Sequence, residues 1–135
     1  MSKLSKQIQY FRELQRIIDD EITLENFNAD HVGRVIQQAL DWSRSQTIMK
    51  RPPKTDTRLC YYIACESWLK RLLASDWYKR FKSFNDLEEY VWRRAAQVGW
   101  GLRIVGYDAV FIELWSDYVG LFKRWWKAVT VGGPR

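Results

Sequence analysis

Histidine occurs once in this chain, at position 31, cysteine twice and proline three times, and no charge-free apolar run is long enough to span a bilayer. A lone histidine cannot build a multi-histidine metal site, and no Cys-x-x-Cys or Cys-x-x-His spacing replaces it. Asp30-His31 has the look of the central pair of a metal phosphohydrolase, but the outlying histidine ligands are missing. On its helix His31 falls near Arg34, Gln38 and Asp41, the polar side, where a surface histidine is expected. Cys60 and Cys65 stand five apart on an expected helix, turned roughly 140° from each other, which argues against a mutual disulfide.

Other absences narrow the field further. Met1-Ser2-Lys3-Leu4-Ser5-Lys6 runs into an amphipathic pattern and not a continuous apolar block, so we expect no secretory leader and a reducing, cytoplasmic compartment. The most apolar region, 104–129, is interrupted by Asp108, Glu113, Asp117, Lys123 and Arg124, so neither a span nor a membrane partner is expected. Gly99-Trp100-Gly101 followed by Gly106 has no strand before it and no Lys-Ser or Lys-Thr after it. It reads as a place where helices or a ligand come close, not as a phosphate cradle. Asp19-Asp20-Glu21 lacks the spacing of a calcium loop and reads as a solvated acidic turn. Ser67 or Ser75 as a nucleophile would need a base, and the one histidine lies far off in sequence. No catalytic residue, cofactor, metal or small-molecule substrate is expected.

What is present is apolar bulk in helical spacing. Leu, Ile, Val and Phe make up 36 of 135 residues, enough for one globular domain over 1–135. Leu4, Ile8, Phe11, Ile18 and Ile22, with Leu14 and Ile17 beside them, predict a first helix from about Ser5 to Glu21. Asn28 caps a second with Val32, Val35, Ile36 and Ala39 on one face. Thr55 or Asp56 caps a third through Tyr61, Cys65, Trp68 and Leu72 to about Ala74, continued briefly through Trp77 and Phe81. Ser83 with Asp86, or Asn85 with Glu88, opens a fourth carrying Leu87, Val91, Val98, Leu102 and Val105, weakened at Gly99 and Gly101. A turn at Gly106-Tyr107-Asp108 starts a last helix to about Val129. The expectation is an all-α fold, a compact bundle of about five helices.

The net charge of +6 is unevenly distributed. Residues 46–82 carry nine basic and three acidic groups, and hold the whole excess. A field of that sign favours polyanions. Glu66 with Lys70, Asp76 with Arg80 and Glu89 with Arg93 have the acid four residues before the base, which explains those cations as local pairs of about 0.2–0.5 kcal/mol each. Lys50, Arg51, Lys54, Arg71, Lys79, Lys82, Lys123, Arg124 and Lys127 lack such partners. Pro52-Pro53 marks a basic loop over 46–56, whose restrained backbone and long side chains suit phosphate contacts. Arg94 lies in line with Leu87, Val91, Val98 and Leu102, so its stem packs there or its guanidinium meets an acid or ligand. The candidate nucleic-acid contacts are therefore Lys50, Arg51, Lys54, Arg58, Arg71, Lys79, Lys82 and Arg94.

On a helical wheel the last helix is apolar over about 240°. Trp125 continues Val110, Leu114, Tyr118 and Leu121, and Trp126 continues Phe111, Trp115, Val119 and Phe122. Either this helix is central, or one stripe packs inward while the other docks on a second subunit, with Phe122 and Trp126 as the docking residues. The acid-first, base-last order of its polar arc matches the helix dipole and accounts in part for Lys123, Arg124 and Lys127.

In size, helix content, basic balance and the clusters Trp68-Leu69-Lys70-Arg71, Trp77-Tyr78-Lys79-Arg80 and Tyr90-Val91-Trp92-Arg93-Arg94, the chain resembles the small subunits of CRISPR effector complexes. The resemblance implies a five-helix-type bundle that stacks in copies and lines a channel for guide RNA and target strand. The expected function is a non-catalytic small subunit of a ribonucleoprotein complex. It would contact RNA or single-stranded DNA mainly through phosphates, and pack on larger protein subunits and further copies of itself. The alternative is a helical protein-interaction module, an adaptor or inhibitor, whose positive loop meets an acidic partner.

Overall fold

The computed structural model describes residues 3–46 and 56–130. Among them are five α-helices and no strand: α1 Lys3–Asp19, α2 Ala29–Ser45, α3 Thr57–Leu73, α4 Phe84–Gly101 and α5 Tyr107–Thr130, with a 3-10 turn at Trp77–Arg80 between α3 and α4. Three helix starts are set by capping side chains, each accepting an orphan N–H of the first turn. Asn28 accepts from His31 at 2.9 Å, Asp56 from Leu59 at 2.8 Å and Ser83 from Asp86 at 3.2 Å.

Packing places α3, and not α5, at the centre. Cys60, Tyr61, Ile63, Ala64, Cys65, Trp68, Leu69 and Leu72 are all buried, because α1, α2 and α5 all pack on this helix. Trp68 stacks flat on Phe27 with ring centroids 4.5 Å apart, and the Tyr61 hydroxyl donates to the Ala95 carbonyl at 2.6 Å. α5 packs on α3, α4 and the 3-10 turn, which leaves the polar arc of α5 open.

The first helix departs from its predicted orientation. Its inward line is Tyr10, Leu14 and Ile18, continued by Ile22 beyond the helix, whereas Leu4, Ile8 and Phe11 are exposed. Helical spacing fits both stripes equally well. The choice belongs to α2, where Trp42 packs on Tyr10 at 5.2 Å and Ser43 hydrogen-bonds the Tyr10 hydroxyl.

The glycines of α4 serve helix packing. A Cβ on Gly99 would stand 2.6 Å from Cβ of Tyr107, and one on Gly101 would stand 2.5 Å from Cβ of Ala29. α4 therefore ends where it crosses both α2 and α5. The turn that follows is a Schellman motif: the Arg103 amide donates to Trp100 O at 3.0 Å and the Ile104 amide to Gly99 O at 3.1 Å. Arg103 holds the left-handed position, φ 54°, normally given to glycine, and Val105, expected on the helix face, is exposed beyond the helix end. A side chain in that conformation costs about 1–2 kcal/mol and glycine returns part of this as chain entropy. Arg103→Gly should therefore raise unfolding free energy by about 0.5–1 kcal/mol in urea titration.

Candidate nucleic-acid interface

α3 and α5 run in the same direction. Arg58, in the first turn of α3, lies beside Gly106 at the start of α5. Further along, the Tyr118 hydroxyl donates to Glu66 at 2.9 Å, and beyond the end of α3 the ring of Tyr78 meets that of Trp125 edge-on at 5.9 Å. α3 rises roughly 24 Å over its length. Arg58 therefore sits at one end of the bundle, and Lys79 and Lys82 at the other.

Each residue expected from sequence can now be located. Lys50, Arg51 and Lys54 lie outside the described residues. Arg58 is exposed and borders a shallow cleft of about 370 Å³ with Asp56, Leu59, Tyr62, Val110 and Glu113, so two carboxylates share its surroundings. Arg71 is committed within the chain: Nη1 donates to Ser67 Oγ at 2.6 Å and to Asp19 Oδ1 at 3.1 Å, and Nη2 donates to the Asp19 carbonyl at 2.7 Å. The partner is 52 residues away in sequence, which no local spacing rule could supply. Asp19 is thus no simple solvated turn but a tie between α1 and α3. Arg94 is half-buried with its guanidinium carbon 6.0 Å from the Tyr90 ring, and it makes no salt bridge with a described acid. His31, partly exposed, bonds the Glu21 carbonyl through Nε2 at 2.7 Å.

The Asp19 contact is visible in pH. The Ser67 hydroxyl, and after it the Arg71 guanidinium, hold the Asp19 carboxyl below the ordinary aspartate value of 3.8, against burial that pushes it up. A carboxylate with a depressed folded pKa stabilises the fold above its unfolded pKa, and that contribution is lost as pH falls through the lower, folded value. Asp19→Asn should cost at most about 1 kcal/mol at pH 7, because the carboxylate is half exposed and screened. In a thermal-melt series the gap between variant and parent should close as pH drops below about 4.

The far end of the bundle carries a different group of cations. Beside the last turns of α5 lie the 3-10 turn and the first turn of α4, held there by aromatic rings. Tyr78 meets Trp125, Phe84 meets Trp126 at 6.4 Å, and Trp77 and Phe81 flank Tyr90 at 5.7 and 5.3 Å. Around this half-buried aromatic brace stand Lys79, Arg80, Lys82, Lys123, Arg124 and Lys127, every one exposed. The nearby carboxylates in sequence are Asp76 and Asp86, of which Asp76 holds Lys79 at 3.8 Å. The guanidinium of Arg80 lies 4.0 Å over the Trp77 ring, a cation–π contact that orients it without neutralising it.

Sequence spacing pairs Asp76 with Arg80 and leaves Lys79 free, and the structure reverses the two. A 3-10 turn aligns residues three apart, so Asp76 reaches Lys79 instead of the residue four on. The helix dipole, which by the order of charges accounts in part for Lys123, Arg124 and Lys127, is confined to the last turn and reaches Lys127 alone. Their spacing on one face beside two tryptophans was the available signal. Phe122, expected on a docking surface, is fully buried against Trp115 and Trp125, and half-buried Trp126 packs on Phe84 of its own chain. The two C-terminal tryptophans are internal braces.

No protein-family model, curated protein or solved structure matches this chain. Burial pushes both thiols up, that of Cys60 to about 12, so neither is a thiolate at neutral pH. Among the described residues no three His, Cys, Asp or Glu side chains converge as a metal site, and no helix is long and apolar enough to cross a membrane. What the basic end can do is bind anions: six exposed cations can each meet a phosphate oxygen.

Proposed function

We propose that this chain is a non-catalytic nucleic-acid-binding protein that grips phosphates through the basic end formed by Lys79, Arg80, Lys82, Lys123, Arg124 and Lys127. The observation that carries this reading is the meeting, at one end of the bundle, of two cation groups more than forty residues apart in sequence, around partly exposed aromatic rings. Charge without base-reading geometry fits backbone contact, and partly exposed aromatic rings beside the cations fit a single strand whose bases can stack. RNA or single-stranded DNA is accordingly the proposed ligand. The proposed setting is a cytoplasmic ribonucleoprotein complex of the CRISPR effector type with larger protein subunits, a context supported by the sequence resemblance.

The exposed stripe of Leu4, Ile8 and Phe11 on α1 supports a second reading, a protein-interaction module that meets another protein there. The salt dependence of binding to a mixed-sequence single-stranded oligonucleotide separates the two. Six phosphate contacts give a log–log slope of about −4. The absence of measurable binding at 50 mM salt would leave only the interaction module standing.

A further inference from the structure

α5 carries a glycine that its own fold does not use. Gly33, Gly99 and Gly101 each face a neighbour that a Cβ would meet at 3.0 Å or less, whereas a Cβ on Gly120 would meet nothing closer than Arg124 Nη1 at 3.9 Å. A glycine inside a helix weakens it, and here no contact with a described residue requires one. The open space lies on the exposed arc of α5, in the middle of the helix.

Charge along the same arc is also unexplained within one chain. Glu113 and Asp117 are four residues apart, as are Lys123 and Lys127, so each pair repels along the helix surface. None of the four, nor Arg124, makes a salt bridge with any described residue. The helix dipole reaches Lys127 in the last turn but not Glu113, Asp117 or Lys123.

A two-fold axis through Gly120 removes both anomalies. Asp117, three residues before Gly120, then shares a rim with Arg124 of the other copy, four after; Glu113, seven before and close to the crossing line, comes level with Lys127, seven after. Ser116 falls on the same rim as Lys123 of the other copy, three residues beyond the crossing point. We propose that two copies of this chain associate through the exposed arc of α5, antiparallel and crossing at Gly120, with each copy's acidic half against the other's basic half. The glycine lets the two backbones approach, and the like-charge pairs of one copy become the counter-charges of the other. Because a two-fold interface is isologous, the association closes as a dimer. This inference does not rest on the nucleic-acid reading. Lys123 and Lys127 serve either a second copy or phosphate, so a bound single strand competes with the dimer.

The test is sedimentation of the purified, nucleic-acid-free chain over a concentration series at 50 mM salt. A monomer–dimer equilibrium that weakens as salt rises is expected. Glu113→Lys with Asp117→Lys should weaken association at least tenfold, and so should Arg124→Glu with Lys127→Glu. The four changes together restore complementarity and should restore the dimer, a recovery that a misfolded variant could not show. Under mild oxidation Gly120→Cys should cross-link to itself, since Cys60 and Cys65 are buried. Ser116→Cys should not, its symmetry mate lying about 12 Å away along the axis. A chain that stays monomeric throughout, or a dimer indifferent to the charge reversals and to the position of the cysteine, overturns the proposal.

Discussion

Replacing Lys79, Arg80, Lys82, Lys123, Arg124 and Lys127 by glutamine should flatten the salt dependence of oligonucleotide binding from a slope of about −4 to near zero. At that slope the parent chain loses roughly 300-fold in affinity between 50 and 200 mM salt, so the variant and parent differ most at low salt and converge at high. Side-chain exposure makes the six changes mild for folding: all six cations face solvent, and the aromatic brace beneath them is untouched. Filter binding or fluorescence anisotropy across a salt series reads the slope directly. Two control variants locate the effect. Arg71→Gln should leave the slope unchanged, because that guanidinium is held by Asp19 and Ser67. Arg58→Gln, at the opposite end, should change it by at most about 0.7. If the loss instead follows neutralisation of Lys50, Arg51 and Lys54, the grip belongs to the Pro-Pro segment and the proposed site is wrong.

Trp68→Ala should cost about 3–5 kcal/mol in equilibrium unfolding. For a domain whose whole stability is about 5–15 kcal/mol that is a large share. The ring is fully buried at the centre of the bundle, stacked on Phe27 and 6.1 Å from Tyr90, so the surrounding helices cannot collapse into the space it leaves. Trp68→Phe should cost less than half as much. It keeps the stack on Phe27 and removes the indole N–H, which is buried without a hydrogen-bond partner and by itself costs about 1–3 kcal/mol. Urea titrations with unchanged m-values would establish both figures. A phenylalanine variant as unstable as the alanine one would show that indole volume, and not stacking, holds the centre.

The helices themselves were legible because the interactions that make them are local. Asn28, Asp56 and Ser83 cap helices that begin within a residue of each, and the inward lines of α2 and α3 follow their apolar spacing. The all-helical bundle follows from these. Two stretches resisted for reasons equally physical. In α1 two apolar stripes satisfy one period, and only the position of α2 tells Tyr10 from Phe11. Around Asp76 the spacing rule assumed an α-helix where the chain forms a 3-10 turn, so the ion pair fell one residue short.

The candidate site was half legible. Lys79 and Lys82 stood out as cations without local acids, and their place beside Lys123, Arg124 and Lys127 did not, since proximity across forty residues has no signature along the chain. The same holds for Arg71, whose carboxylate comes from another helix. Sequence alone determined that the chain is helical, where three of the helices start and how much charge each segment carries, because hydrogen bonds and caps act between residues three or four apart. Tertiary structure decided which apolar stripe is inside, that α3 is the centre, and which cations share an end of the bundle. Those outcomes depend on how helices stack side by side, and apolar burial, which drives the stacking, has no direction of its own.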